Sequence, residues 1–293
     1  MESPQVFSAS APLELAPPDV AAWMVRFAAA PIPILASTAQ ELAWLADAEE
    51  RRGDVDAHQL CEPIERDPLM CLRVLASAAR CRARLPAERQ GGTETITAAL
   101  VMLGIGPFFR EYAEPLTVEQ CLAAHPAAID GLMGVIRRAH RAADFALCFA
   151  VHRMDDDAAV VKLAALLHDF AEMLLWCHAP ELALAIQSRQ AADAGLRTAE
   201  AQQALLRAEL PEVAQALMRH WTLPELLVRI NDERQAAEPR VRSVLLAVRL
   251  ARHTDEAKGG WSNPAVPDDL RDIAQLLNLS KNAVETLVRE IDR

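Results

Sequence analysis

The chain has 293 residues, 52% of them hydrophobic and 24% charged, with a mean hydropathy of +0.06. These values exclude a chain disordered throughout and a fibrous repeat, and leave room for one large domain or two modest ones. The 30 basic against 41 acidic side chains give a net charge of −11, so nucleic acid and anionic membranes would repel the molecule as a whole, and any such partner would need a local basic patch.

With ten glycines and one tyrosine among abundant alanine and leucine, the composition suits long helices and starves tight hairpins, so an all-α chain is predicted. Residues 1–18 carry Pro4, Pro12, Pro17 and Pro18 without helical periodicity and read as a tail. Asp19 caps a helix through Ala29, and Pro31-Ile32-Pro33 then forces extended backbone. Thr38 with Glu41 reads as a capping box for the next helix; Asp56 opens another, and Asp67-Pro68 starts a third with Met70, Val74 and Leu75 on one face. The arginine-rich stretch Arg80 to Arg89 reads as an exposed loop, after which Thr95 restarts a helix that stops at Gly104.

From Ala127 onward the pattern predicts helices over Ala127–His152, Asp156–Cys177, Pro180–Ala194, Thr198–Glu209, Pro211–Trp221, Pro224–Gln235 and Pro239–Asp255. A linker, Lys258 to Pro264, precedes two short helices, Asp268–Leu277 and Ser280–Ile291. The organisation read from this is a tail (1–18), a helical domain (19–257) and a C-terminal helical pair (258–293). Cys61, Cys71, Cys81, Cys121, Cys148 and Cys177 form no C-x-x-C pair and read as reduced core thiols. No signal-type segment follows a basic N-terminus, and the apolar window Ala98–Phe109 is broken by Gly104, Gly106 and Pro107, so a cytoplasmic location is expected.

The residues with most chemical content are His168-Asp169, inside the apolar run Leu163–Leu175. An imidazole and a carboxylate on a buried helix are costly to desolvate unless something compensates them. A divalent metal would do so; so would protein partners, with His168 bonded to a carbonyl or to Glu172 and Asp169 to an arginine. Spacing leaves both readings open. The segment Ile273–Val284 has a helix-turn-helix look, but Asp268–Arg293 holds four basic against six acidic side chains, a net of −2 that disfavours DNA. Arg240, Arg242, Arg249 and Arg252 on one helix offer an anion-binding or partner-facing stripe, or simply arginines reaching acidic neighbours. Trp23, Trp44, Trp176, Trp221 and Trp261 read as core anchors. His58, His125, His152, His178, His220 and His253 show no metal-ligand spacing, and neither a phosphate-cradling glycine loop nor a Gly-x-Ser-x-Gly elbow is present.

Several segments, in order, resemble the HDOD domain, a relative of the HD and HD-GYP metal-dependent phosphohydrolases that serves as a signalling output module. They are Pro31-Ile32-Pro33; Ile64-Glu65-Arg66-Asp67-Pro68 with Met70, Arg73, Val74 and Leu75; Thr95-Ile96 through Leu103-Gly104; Leu166-Leu167-His168-Asp169-Phe170-Ala171-Glu172; and Trp221-Thr222-Leu223-Pro224-Glu225. The resemblance spans about residues 28 to 255. It implies an HD-like multi-helix bundle: an N-terminal helical subdomain (19–120) packed on an HD-like core (121–257).

In catalytic HD relatives, an upstream histidine, the His-Asp doublet and a distant aspartate hold a metal that activates water. Carried onto this chain, the resemblance makes His140, 28 positions before the doublet, the upstream ligand beside His168 and Asp169. Leu210 stands where a further histidine is expected, Asn231-Asp232 where a paired histidine would follow, and Ala251-Arg252 where the Ala-Asp pair would be. Leucine cannot ligate, and a guanidinium in place of a carboxylate puts a fixed positive charge beside any cation. Asp232 remains as a substitute oxygen ligand. Ala171 and Glu172 replace the glycine and lysine of the family stretch, and no Gly-Tyr-Pro segment follows.

The expectation is therefore a non-catalytic HDOD-type signalling module of a bacterial cytoplasm. It would have a vestigial metal site at His140, His168 and Asp169, no cofactor beyond a weakly held divalent metal, and a protein partner or ligand as its means of action. Two alternatives stand beside it: a residual metal-dependent phosphohydrolase using His140, His168 and Asp169 with help from Asp232, and a DNA-binding regulator acting through Asp268–Arg293.

Overall fold

Side-chain caps start the early helices where local sequence dictates. Asp19 accepts from the Ala22 amide (2.8 Å) at the head of α1 (Val20–Ala29). After α2 (Ala36–Arg52), Asp56 and Gln59 exchange the two bonds of a capping box at α3 (Ala57–Glu65). Asp67 with Pro68 opens α4 (Pro68–Arg82), and Thr95 caps α5 (Ile96–Leu103). The computed structural model describes residues 16–84, 93–193 and 195–292; most of the expected tail and the second half of the expected Arg80–Arg89 loop lie outside them, and Arg80 and Arg82 belong to the last turn of α4 and not to a loop.

Then follow α6 (Ile105–Glu111), α7 (Val118–Cys121), α8 (Pro126–His152), α9 (Ala158–Leu167), α10 (Phe170–His178), α11 (Pro180–Ala192), α12 (Thr198–Leu206), α13 (Leu210–His220), α14 (Glu225–Ile230), α15 (Pro239–His253), α16 (Val266–Leu277) and α17 (Lys281–Ile291). The fold is all-α. Among the described residues the one strand-like pairing is a parallel bridge in the extended segment after Pro33, where Ile34 accepts from the Val118 amide (2.8 Å) and donates to Leu116 O (3.0 Å).

Thr38 is not a cap. α2 starts two residues before it, and Thr38 is buried with its hydroxyl toward Asp67. The first-turn amides of α2 are instead capped from a distance: Leu35 N donates to Asp67 Oδ2 (2.7 Å) and Ala36 N to Glu119 Oε2 (3.0 Å). Asp67 Oδ1 meanwhile accepts from Leu69 N (3.0 Å) and Met70 N (3.1 Å). One fully buried carboxylate thus ties the starts of two helices together. Burial pushes its pKa up, against the pull of these donors.

α8, 27 residues long, is the axis of the larger part of the molecule. α9 and α15 lie along it, with Phe145, Phe149, Val161, Val244 and Ala247 fully buried between them. α10 crosses α8 at Gly131, where an added Cβ would stand 2.3 Å from the Trp176 ring; only glycine lets the indole in. Trp23 and Trp176 are core residues as expected, but Trp44 is 64% exposed on α2.

The C-terminal pair is bonded to this core. Asp269 on α16, itself buried, hydrogen-bonds His253 Nδ1 through Oδ2 (2.6 Å) and forms an ion pair, without an aligned hydrogen bond, between Oδ1 and Arg249 Nε (2.6 Å). Near the end of α17, Asp292 accepts two bonds from Arg141 of α8 (2.6 and 2.7 Å) and one from Trp261 Nε1 (3.0 Å). The α15 arginines are likewise engaged: Arg240 with Asp157 (2.8 Å), Arg242 with Gln275 (2.9 Å), Arg249 with Asp269, and Arg252 with Asp169. Three of the four are paired with carboxylates, while Arg242 is held by a neutral amide and keeps its charge unneutralised among the described residues.

Candidate functional site

The sequence reads Asp156–Cys177 as one helix. In the structure it breaks at the doublet: α9 ends at Leu167, α10 begins at Phe170, and Asp169 leaves helical geometry (φ −98°, ψ 20°). The break is lined on both sides by buried apolar residues and contains no glycine or proline, so it is set by what the two polar side chains bond to. His168 Nδ1 stands 3.1 Å from Asp169 Oδ1, with the two side chains 5% and 10% exposed. Arg252 reaches over from α15 and places Nη2 2.5 Å from the same Oδ1. Glu233, in the short 3-10 turn Glu233–Gln235 after α14, brings Oε1 to 3.3 Å from His168 Nε2, off the line of the N–H, so the charges are paired without an aligned hydrogen bond. On α8, Arg138 holds Glu172 (3.3 Å) and Asp255 (3.7 Å).

These groups surround a cavity of about 170 Å³ whose walls include His168, Asp169, Glu172, Leu210, Glu233 and Arg252. Burial raises the cost of ionising Asp169, yet the Arg252 guanidinium and the adjacent imidazole hold its carboxyl well below the usual carboxylate range. Burial also opposes a charged His168, but the carboxylates of Asp169 and Glu233 outweigh it and push the imidazole up to about 9. His168 in turn keeps Glu233 low, and Asp169 raises Arg252. At neutral pH the site is an alternating set of fixed charges that neutralise one another.

That donor set does not fit a divalent metal. A metal ligand needs a free imidazole lone pair and a carboxylate oxygen facing no other cation; here both ring nitrogens of His168 face carboxylates, at 3.1 and 3.3 Å, and Asp169 Oδ1 is occupied by the Arg252 guanidinium. Among the described residues no group of three His, Cys, Asp or Glu side chains is arranged to hold a metal ion.

His168 and Asp169 come together, but His140 does not join them: its Nε2 lies 3.0 Å from Arg66 O, toward the α3–α4 junction. The α8 residue facing the site is Arg138, two positions earlier and so about 200° around the helix. Asp232 also points elsewhere, accepting from Arg234 N (3.2 Å) and Nε (3.1 Å); its neighbour Glu233 supplies the carboxylate. Leu210 and Arg252 both line the cavity. Arg138 and Glu233 went unnoticed in the sequence. The signal for Arg138 was its helical phase, and for Glu233 a second carboxylate directly after the Asn231-Asp232 pair expected to hold a ligand.

The sequence matches the HDOD domain family over residues 32–236. The chain belongs to the HDOD family. A comparison with curated proteins gives no match. Among solved structures, this HDOD chain is similar to the MmoQ response regulator of Methylococcus capsulatus (17% identity, 89% of this chain and 98% of that one, TM-score 0.64). It is also similar to a virulence factor of Campylobacter jejuni (16% identity, 87% and 88%, TM-score 0.61). At these identities the likeness is one of fold. The HDOD match ends before α15, so Arg252, which neutralises Asp169, stands on a helix beyond the matched segment.

Proposed function

We propose that this HDOD chain is a non-catalytic signalling module of the bacterial cytoplasm, in which the His168-Asp169 doublet is a structural ion-pair centre and the output is the binding of a protein partner or ligand. The observation that carries the reading is Arg252 Nη2 at 2.5 Å from Asp169 Oδ1. A permanent cation occupies the oxygen through which a metal would be held, and the hydrocarbon of Leu210 closes another side of the same cavity. The response-regulator name of one similar structure agrees with a signalling role. Among the described residues no helix is long and apolar enough to cross a membrane, which agrees with the proposed location. In the C-terminal pair Arg289 is paired with Glu285 and lies over Trp261 (4.4 Å) and Arg271 is paired with Asp268, which leaves Lys281 as the one exposed basic side chain without a carboxylate partner among the described residues and disfavours a DNA-reading role.

The test is metal analysis and phosphodiester hydrolysis on the purified chain with Mn, Fe, Zn or Mg supplied in turn. The expected result is no stoichiometric metal and no turnover above buffer. Bound metal with turnover that is lost in His168→Ala would overturn the reading in favour of a residual phosphohydrolase.

A further inference from the structure

A second cavity, of about 280 Å³, opens in the seam where α3 and α5 meet α8 and α9. Its walls are hydrocarbon: Ile96 from α5, Leu147 from α8, Leu163 and Leu166 from α9. Three of these four are otherwise buried, with exposures of 2%, 6% and 3% for Ile96, Leu163 and Leu166. Water inside such walls finds few of the two to four partners it needs. The charged groups sit together: Glu65 Oε2 and Lys162 Nζ, 3.4 Å apart and each partly exposed; the hydroxyl of Thr95, which also lines the cavity, accepts from the Ala98 amide (3.2 Å) as a helix cap. Glu65 is oriented from behind by the Cys61 thiol, which donates to its other oxygen, Oε1 (3.2 Å).

This pairing selects the charge of what can enter. Lys162 only donates and Glu65 only accepts, so an anionic head gains at one and is repelled by the other, and a cationic head fares the same in reverse. A neutral amide, presenting a carbonyl to Lys162 and an N–H to Glu65, satisfies both and replaces a loose, half-solvated ion pair that is itself weak. A dry cavity of about 150 Å³ takes a benzene-sized guest, so the space here suits a hydrocarbon body of about eight carbons.

We propose that the seam cavity is a binding site for a small neutral amphiphile, a medium-length hydrocarbon chain carrying an amide head. The site joins the N-terminal helices to the core, and its wall helix α9 runs directly into His168-Asp169. An occupant therefore touches the same helix that ends at the ion-pair centre.

The test is isothermal titration calorimetry of the full chain with octanamide, octanoate and octylamine. Octanamide should bind once, with a Kd on the order of 0.1–1 mM for a ligand of this size, and the two charged analogues at least about tenfold more weakly. Ala159→Phe, at an exposed position on the cavity lining, should abolish octanamide binding while circular dichroism and thermal melting stay unchanged. Glu65→Gln should shift preference toward octanoate by leaving Lys162 unopposed, a readout that does not depend on the filling variant folding. No saturable octanamide binding, binding unaffected by Ala159→Phe, or octanoate binding the unaltered chain as well as octanamide would each overturn the proposal.

Discussion

Replacing Gly131 by alanine should destabilise the protein although the substitution improves helix propensity. In the second turn of α8, past its first unpaired amides, an alanine gains about 0.8–1.0 kcal/mol over glycine. Against that, its Cβ would lie 2.3–2.6 Å from three carbons of the Trp176 indole, which is 4% exposed and wedged between α8 and α10. Carbon contacts settle near 3.5–4.0 Å, so the ring or α10 must move by more than about 1 Å. Overpacking of this kind costs about 1–3 kcal/mol, and more where the neighbour is a rigid bicyclic ring held on all sides. The net expectation is a loss of about 1–2 kcal/mol in urea unfolding, with the denaturant slope unchanged. The background decides the cause. Trp176→Ala alone should cost about 3–5 kcal/mol, and adding Gly131→Ala to it should now stabilise by up to about 1 kcal/mol, since only the propensity gain remains. A Gly131→Ala penalty of the same size in both backgrounds would refute the argument, because it would mean the ring is not what the glycine accommodates.

Asp67→Ala should lose about 3–4 kcal/mol in the same assay, since it strips a local cap and leaves the buried Leu35 amide unpaired, whereas Asp56→Ala, at an exposed cap, should lose about 1 kcal/mol; equal losses would count against the two-helix role of Asp67. His168 has a folded pKa near 9 against an ordinary 6.5, so its contribution is whole below pH 6.5 and is lost as pH rises through 9. Unfolding free energy should fall over that window by about 1–3 kcal/mol in the unaltered chain, and the fall should vanish in His168→Gln. Thr222, a β-branched residue at φ +52° in the turn before Pro224, should give way to glycine with a gain of up to about 1 kcal/mol in thermal unfolding, the relief of strain outweighing the added chain entropy. A loss there would mean that the turn is not strained.

What the sequence discloses depends on how far a residue's partners lie along the chain. Asp19, Asp56 and Thr95 cap amides within three residues, and each helix start is readable from composition alone. The start of α2 is not, because its caps come from Asp67 and Glu119, 32 and 83 residues away, and Thr38 fits a local pattern that the fold does not use. The break at His168-Asp169 is equally invisible: apart from the doublet and Glu172 the run Leu163–Leu175 is apolar and has no glycine or proline, and the partners that hold the doublet, Glu233 and Arg252, lie 65 and 83 residues on. Arg252 and Leu210 were found through resemblance to family segments, which carries three-dimensional information that periodicity lacks. Resemblance failed at His140, where a two-residue choice on α8 decides which side of a long helix is meant, and at Asp232, where the expected helix through Gln235 ends early at Ile230 and shifts the register by one.

The position of Arg252 bears on where this molecule can be cut. A fragment that stops at residue 236 retains the whole family-matched segment but removes α15, and with it the one guanidinium bonded to Asp169. Such a fragment would bury an unbalanced acid and open the flank of α8, so the recognisable portion of the chain is smaller than the portion that can stand alone.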